Sequence, residues 1–133
     1  FIITLASLLE LNISDTCLII NLGSIISDMG GLNLFVYGTS KHAVAGMTKS
    51  MAVDLGQYGI TVNYLQPGAV VTALSAPYFE DDDFRNYWIE KAPVGRLGQP
   101  EDVAHAAVFL AQKESQFISG LGLNVDGGAI VKF

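Results

Sequence analysis

The sequence predicts an α/β fold built on a parallel sheet. Three short apolar runs, at 17–23, 60–65 and 121–125, alternate with longer segments of helical character. This alternation is typical of parallel sheets whose strands are joined by helices, and the apolar character of the runs indicates strands buried on both faces. The chain has 133 residues, 50% hydrophobic and 15% charged, so it can bury a core and does not have a disordered composition.

The segments between the strands are interpreted in order. Segment 1–11 is apolar, and we interpret it as an amphipathic helix rather than a signal peptide, because no basic region precedes it and no cleavage site of small residues is clear. The loop 24–36 contains glycines and is long enough to line a site. Segment 37–58 predicts a long helix that ends near Gly59.

The second half of the chain continues the alternation. The strand after Gly59 is expected to stop at Pro67-Gly68, a dipeptide that marks turns. Segment 100–112 predicts a helix, because it opens with a proline and two acids, which suit a helix N-terminus. Segment 73–92 is expected to be irregular or partly helical, and it carries five aromatic residues: Tyr78, Phe79, Phe84, Tyr87 and Trp88.

Charge and cysteine content exclude several classes of partner. The formal net charge of −6 argues against nucleic acid and anionic membranes, both of which attract basic patches. No apolar run reaches the roughly 20 residues that a membrane helix needs.

Cys17 is the only cysteine, so no intrachain disulfide forms and a cytoplasmic location is expected. We interpret Cys17 as a small core residue rather than a nucleophile.

No metal site is predicted. His42 and His105 fall in expected helices and have no cysteine or second histidine at metal-ligand spacing. The acidic run 80–83 could in principle bind a cation, but consecutive acids rarely converge on one ion, so a solvated surface is the better interpretation.

Three side chains suggest chemistry on a carbonyl or an alcohol: Ser24, Tyr37 and Lys41. Tyr37 and Lys41 are four residues apart and share a face if a helix begins near Tyr37. Ser24 follows the first strand, and in α/β sheets ligands bind where strands end. An unperturbed tyrosine titrates near pH 10, about three units above neutrality, and a nearby cation favours phenolate. On these residues alone, a structural Tyr-Lys pair and a strand-ending serine remain an open alternative.

Five motifs follow one another along the chain: Asn-Leu-Gly-Ser at 21–24, Gly-Ile-Thr-Val-Asn at 59–63, Pro-Gly-Ala-Val-Val-Thr at 67–72, Pro-Val-Gly-Arg-Leu-Gly-Gln-Pro-Glu-Asp-Val-Ala at 93–104 and Val-Asp-Gly-Gly at 125–128. With Tyr37-x-x-x-Lys41, they resemble the short-chain dehydrogenase/reductase family in its single-domain form. The resemblance implies a Rossmann-type doubly wound parallel sheet in a three-layer α/β/α arrangement, of which this chain holds the last three strands and their flanking helices.

The resemblance also implies an activity, the NAD(P)-dependent interconversion of a secondary alcohol and a ketone. Tyr37 would be the general acid and base. Lys41 would favour its phenolate and hold the nicotinamide ribose, and Ser24 would hydrogen-bond the substrate oxygen. Tyr78, Phe79 and Trp88 would belong to a mobile substrate lid that closes over the cofactor. Homodimers or homotetramers are implied as well.

The cofactor-binding residues that the resemblance implies include Tyr37 and Lys41. Four others lie at the end of the second strand. Pro67 and Gly68 would shape the loop beneath the nicotinamide, while the Val70 backbone and Thr72 would contact its carboxamide or a phosphate. A plain strand-ending turn is the alternative for Pro67-Gly68.

The resemblance covers roughly the C-terminal half of the family's domain. Residues 1–133 are therefore expected to be the C-terminal part of one NAD(P)-binding domain without its phosphate-binding half, because no Gly-x-x-x-Gly-x-Gly loop joins a strand to a helix. A fragment of a longer gene, one half of a divided enzyme and a non-catalytic remnant are all possible, and we favour the fragment. The alternative function is an oligomerising or assembly module that pairs an open strand edge with another chain.

Overall fold

The computed structural model describes residues 17–133. In this part of the chain, three parallel strands form one sheet in the order β1-β2-β3. Strand β1 is Leu18–Leu22, β2 is Thr61–Pro67 and β3 is Gly122–Val125. The prediction of an α/β fold with a parallel sheet is confirmed. The helix expected at 1–11 lies outside the described residues.

Three α-helices accompany the strands: α1 at Phe35–Gly56, α2 at Asp82–Lys91 and α3 at Pro100–Ala111. Short 3-10 turns occupy Ile25–Ser27, Ala76–Glu80, Lys113–Ser115 and Ala129–Val131. Within 17–133, no helix combines the length and apolar character needed to cross a membrane.

Helices flank the sheet on both faces. Helix α1 packs on one face, where Val44 and Ala45 form a buried cluster with Tyr64 of the central strand β2. Successive residues of a strand point to opposite faces. Asn63 accordingly reaches the other side, where its amide donates to the Ile118 carbonyl, 2.8 Å away in the segment after α3. This layered arrangement is that of a partial Rossmann-type fold.

A buried polar contact fixes α1 against β1. Thr48 is fully buried, and its hydroxyl donates to the Val44 carbonyl at 2.8 Å. The Asn21 amide of β1 donates to that same hydroxyl at 3.0 Å. The Thr48 hydroxyl therefore has a hydrogen-bond partner both as donor and as acceptor. The contact fixes the carboxyl end of β1 relative to α1, and these two elements carry the candidate catalytic residues.

Several boundaries differ from those expected. Helix α1 begins two residues before Tyr37, and it ends at Gly56, after which Gly59 turns the chain with a positive φ of 72°. Strand β2 includes Pro67 as its last residue, where it pairs with Val125 of β3. The pairing continues at Gly68, whose N–H donates to the Val125 carbonyl at 3.1 Å.

The acidic run has a structural role that the sequence analysis missed. Asp81 is the N-cap of α2, and its carboxylate accepts from the Asp83 and Phe84 N–H groups at 2.9 and 3.2 Å. Asp82 forms an exposed ion pair with Arg85 at 2.6 Å. These acids therefore start and stabilise a helix. Across 17–133, no group of three or more His, Cys, Asp or Glu side chains could hold a metal ion.

Gly122 of β3 lies against the ring of Tyr64. A Cβ at this position would lie 2.4 Å from Tyr64 Cζ and 2.5 Å from its hydroxyl oxygen. Tyr64 is only 2% exposed and has no free space to move into. We expect Gly122→Ala to lower the free energy of unfolding by about 1–3 kcal/mol, the usual cost of overpacking. Chemical denaturation of the full-length gene product measures it.

Gly46 of α1 provides the control, because a Cβ there would meet nothing within 4 Å. Gly46→Ala should be neutral or slightly stabilising, since alanine favours helices over glycine. An unchanged midpoint for Gly122→Ala would contradict the packing described for Tyr64.

Candidate active site

The carboxyl end of β1 turns directly into the segment that carries Ser24. Ser24 is the buried N-cap of the turn Ile25–Ser27, and its Oγ accepts from the Ile26 N–H at 3.2 Å. The Ser24 N–H in turn donates to Ser27 Oγ at 3.2 Å. These two bonds fix the serine backbone and use its oxygen as an acceptor, which leaves the hydroxyl proton for donation to another group.

Gly23 allows this tight passage from strand to turn. Its N–H donates to the Leu65 carbonyl at 2.8 Å, so β1 stays paired with β2 up to the serine. A Cβ at Gly23 would lie 2.9 Å from both Ser27 Oγ and Tyr64 Cδ2. Only a residue without a side chain fits between these groups.

The first turns of α1 bring Tyr37 and Lys41 together. The Lys41 Nζ lies 5.6 Å from the centre of the Tyr37 ring, within the range of cation–π contacts. The same ammonium donates to the Leu22 carbonyl at 3.0 Å. Tyr37 is 44% exposed, so its phenol is accessible from solvent. Lys41 thus connects the helix that carries the phenol to the strand that leads to Ser24.

All seven predicted site residues line one cavity of about 360 Å³, here called the first cavity. Helix α3 completes its wall with Pro100 and Val103, which were not predicted as site residues. Both belong to the 93–104 motif, which was assigned to the start of a helix and not to the site. The seven predicted residues are Ser24, Tyr37, Lys41, Pro67, Gly68, Val70 and Thr72.

The loop that follows β2, residues 68–75, is held in place by backbone hydrogen bonds and by two side-chain hydroxyls. Val70 forms an isolated parallel bridge with Gly98, in which the Gly98 N–H donates to the Ala69 carbonyl at 2.9 Å. The Thr72 hydroxyl lies 3.0 Å from Ser75 Oγ, which also donates to the Val70 carbonyl at 2.7 Å. This loop therefore presents a defined surface to the first cavity.

A second cavity, of about 610 Å³, adjoins the first and shares Ser24, Tyr37, Gly68 and Val70 with it. The loop 29–34 and the segment 75–88 supply most of its walls. The aromatic residues singled out in the sequence all line it: Tyr78, Phe79, Phe84, Tyr87 and Trp88. That Tyr78, Phe79 and Trp88 belong to a mobile lid stays a prediction.

A buried glutamine supports the loop of the second cavity. Gln66 is 1% exposed, and its Nε2 donates to Asp28 Oδ2 at 2.8 Å and to Asn124 Oδ1 at 2.6 Å. Gln66 of β2 thus connects Asn124 of β3 with Asp28, the residue that precedes the loop 29–34. Burial, helped by the nearby charge of Asp28, also raises the pKa of the Tyr64 phenol. Sequence spacing gave no signal for this network, because its members lie far apart in the chain.

Arg96 and Asp102 hold the start of α3 beside the first cavity. The guanidinium is bidentate on the carboxylate, with Nη1–Oδ2 and Nη2–Oδ1 distances of 2.7 and 2.8 Å. The Gln99 N–H adds a third bond at 2.7 Å. The hydrogen bonds from Arg96, followed by that from Gln99, hold the pKa of the Asp102 carboxyl well below its usual range.

The stabilisation by this carboxylate should depend on pH. A carboxyl whose pKa is lowered by folding stabilises the folded protein fully at pH values above the ordinary carboxyl pKa of about 4. This stabilisation is lost as the pH falls toward the lowered pKa. We expect Asp102→Asn to have a lower Tm than the unchanged protein at pH 7, with a difference that shrinks below about pH 4. Thermal unfolding between pH 7 and pH 2 measures it.

Asp54 offers a matched control, because within the described chain its carboxylate takes part in no ion pair. Asp54→Asn should leave the pH dependence unchanged. A Tm difference for Asp102→Asn that is the same at every pH would contradict the ionic role of Asp102.

Comparison with known proteins decides the family. A family model described as enoyl-(acyl carrier protein) reductase matches residues 3–129. The chain belongs to the short-chain dehydrogenase/reductase family. It is 44% identical over 119 residues to (+)-borneol dehydrogenase 2 of Salvia officinalis, covering 83% of the chain and 42% of that protein. It is 43% identical over 110 residues to 2-dehydro-3-deoxy-D-gluconate 5-dehydrogenase of Bacillus subtilis, covering 83% and 43%.

Solved structures of other short-chain dehydrogenases/reductases have the same fold. Gluconate 5-dehydrogenase of Burkholderia cenocepacia, in complex with NADP and tartrate, has a TM-score of 0.85 at 36% identity over 89% of this chain and 46% of its own. A 4-hydroxyisoleucine dehydrogenase complexed with NADH has a TM-score of 0.84 at 29% identity, over 87% and 48%. This chain spans a little under half the length of these relatives.

Proposed function

We propose that this chain carries the reaction centre of an oxidoreductase that interconverts a secondary alcohol and a ketone with NAD(P). The observation that supports this most is the meeting of three groups at one cavity. The phenol of Tyr37, the ammonium of Lys41 and the hydroxyl of Ser24 all line the first cavity, and Lys41 lies 5.6 Å from the Tyr37 ring.

Each of the three groups has a defined part in moving one proton. In alcohol oxidation, the Tyr37 phenolate accepts the proton of the substrate hydroxyl, and in ketone reduction the phenol returns it. The Ser24 hydroxyl donates a hydrogen bond to the substrate oxygen and stabilises negative charge there. The Lys41 ammonium favours the phenolate form of Tyr37. When bound, the nicotinamide ring accepts or supplies the hydride.

The residues around the first cavity fit the nicotinamide half of a dinucleotide. Its volume of about 360 Å³ lies within the roughly 300–1,000 Å³ of small-molecule sites. Pro67 and Gly68 offer an apolar wall for the ring. Lys41 offers an ammonium for the ribose hydroxyls, and the Val70 backbone and Thr72 offer polar groups for the carboxamide or a phosphate. Relatives solved with NADP and with NADH support the same class of cofactor.

We also propose that residues 1–133 are the C-terminal part of a single dinucleotide-binding domain. The sequence contains no Gly-x-x-x-Gly-x-Gly loop between a strand and a helix, so the adenosine half of the cofactor would be bound by other residues. The named substrates of relatives range from borneol, a neutral alcohol, to gluconate, a carboxylate. Relatives alone therefore do not select a substrate.

The test is coenzyme-dependent oxidation of a panel of secondary alcohols by the full-length gene product. We expect reduced coenzyme to accumulate with at least one alcohol and one of NAD and NADP. A folded protein that oxidises no alcohol and reduces no ketone with either coenzyme would contradict the proposal.

A non-catalytic assembly module is the second candidate, and the edge of the sheet favours it. Within residues 17–133, β1 pairs with β2 on one side only, and its Leu22 is 60% exposed. An open strand edge can pair with another chain. Light scattering that shows a defined homodimer or homotetramer without affinity for either coenzyme would favour this module, while a monomer would exclude it.

A further inference from the structure

The walls of the second cavity are mostly apolar. Ser24 and Tyr37 are the polar residues that it shares with the first cavity, and the proposed chemistry takes place there. Ser75 also lines it, but its hydroxyl donates to the Val70 carbonyl at 2.7 Å and is not free to bind a ligand as a donor. The remaining walls are aliphatic side chains, glycines and aromatic rings, with Tyr78 and Tyr87 contributing phenols.

No charged side chain lines the second cavity among the residues described. The described residues that form its walls include no Asp, Glu, Lys, Arg or His. Helix α2 carries two cations, and both are engaged elsewhere. Arg85 Nη1 donates to the Phe79 carbonyl at 3.3 Å and its Nη2 pairs with Asp82 at 2.6 Å. Lys91 Nζ donates to the Lys132 carbonyl at 2.9 Å. Lys41 lines the first cavity instead and donates to the Leu22 carbonyl.

The aromatic walls support one another. The Phe84 ring lies 5.6 Å from that of Phe79 and 6.4 Å from that of Trp88, and the rings of Tyr87 and Trp88 are 5.4 Å apart. Edge-to-face and tilted pairs at these distances are favourable. These connected rings present an aromatic surface to a ligand that lies beside Ser24 and Tyr37 in the second cavity.

We propose that the substrate is a neutral, largely apolar secondary alcohol or its ketone, of the size of a substituted carbocycle. This inference rests on the proposed function, since it places the reacting oxygen at Ser24 and Tyr37. A ligand carboxylate in the second cavity would lose its water shell without a cation to pair with, which is strongly unfavourable. An apolar ring would instead gain from burial against the aromatic walls.

A matched pair of alcohols tests the proposal in the full-length gene product. The pair is trans-4-methylcyclohexanol and trans-4-hydroxycyclohexanecarboxylate, which share the ring and the reacting carbinol. We expect kcat/KM to be at least about 100-fold higher for the methyl compound, because a site without a partner for a charge discriminates strongly. Equal or faster oxidation of the carboxylate would overturn the proposal.

A charge introduced into the wall gives a second measurement. Met29 lines the second cavity, so Met29→Arg should reduce the preference for the neutral ring by at least about tenfold. Val53 is 80% exposed on α1 and lines neither cavity. Val53→Arg adds the same charge elsewhere and should leave the preference unchanged. An equal effect of both variants would overturn the role given to the cavity.

Trp88 reports binding without catalysis, because it is the single tryptophan of the chain and lies in the cavity wall. 4-Methylcyclohexanone should change the emission of the protein and should not change that of Trp88→Phe. A change without turnover of any alcohol would support the cavity and contradict the proposed function. Turnover of polar alcohols alone, without the emission change, would keep the function and overturn the substrate class.

Discussion

Replacing Tyr37 with phenylalanine is expected to lower kcat/KM by about 10²–10⁴-fold, the range that a positioned acid or base contributes. The substitution removes only the phenolic oxygen. Tyr37 is 44% exposed and takes part through its ring in the contact with Lys41. The ring remains in Tyr37→Phe, so the fold and the position of Lys41 should persist while proton transfer is lost.

Steady-state kinetics with the best alcohol of the panel measures this effect. Tyr58 supplies the control, because it is 58% exposed and lies beyond the end of α1, outside both cavities. Tyr58→Phe should retain the full rate. Retention of the rate in Tyr37→Phe would mean that another group moves the proton.

Replacing Lys41 with methionine should lower kcat/KM by about 10²-fold, the order of effect found when a single stabilising donor is removed. Two contributions would be lost. The ammonium that lies 5.6 Å from the Tyr37 ring would no longer favour the phenolate, and the bond of 3.0 Å to the Leu22 carbonyl would disappear. Because the ammonium is also proposed to hold the ribose, KM for the coenzyme should rise while kcat falls.

Lys49 makes a suitable control for charge on the same helix. It lies two turns further along α1, is exposed, and lines neither cavity. Lys49→Met should leave both constants unchanged. If Lys41→Met changed kcat alone and left KM for the coenzyme as it was, the proposed contact with the ribose would be wrong.

The fold could be predicted from sequence because its strands are short, apolar and separated by helices. The predicted runs at 17–23, 60–65 and 121–125 all contain the observed strands, apart from the last two residues of β2. The start of α1 was less predictable. Leu34 is its N-cap and forms no side-chain capping bond, so no Ser, Asp or Asn marked the position.

The candidate site could be predicted in part, because local spacing governs some of it. Tyr37 and Lys41 are four positions apart, a spacing that is enough to put both on one face of α1. Other contacts join distant segments and have no local signal. The bond from Lys41 to the Leu22 carbonyl follows from how α1 packs on β1. The bonds from Gln66 to Asp28 and Asn124 follow from how β2 lies between β3 and the segment after β1. The pattern of residues within any single segment does not predict these long-range hydrogen bonds.

The most direct test of the proposed coenzyme-dependent reaction is calorimetric titration of NADH and NADPH into the full-length gene product. We expect micromolar binding of one of the two at one site per chain, because Tyr37, Lys41 and the loop 67–72 are proposed to hold the nicotinamide side. Binding of neither coenzyme by a folded sample would contradict it, since the proton-transfer residues would then have no hydride partner.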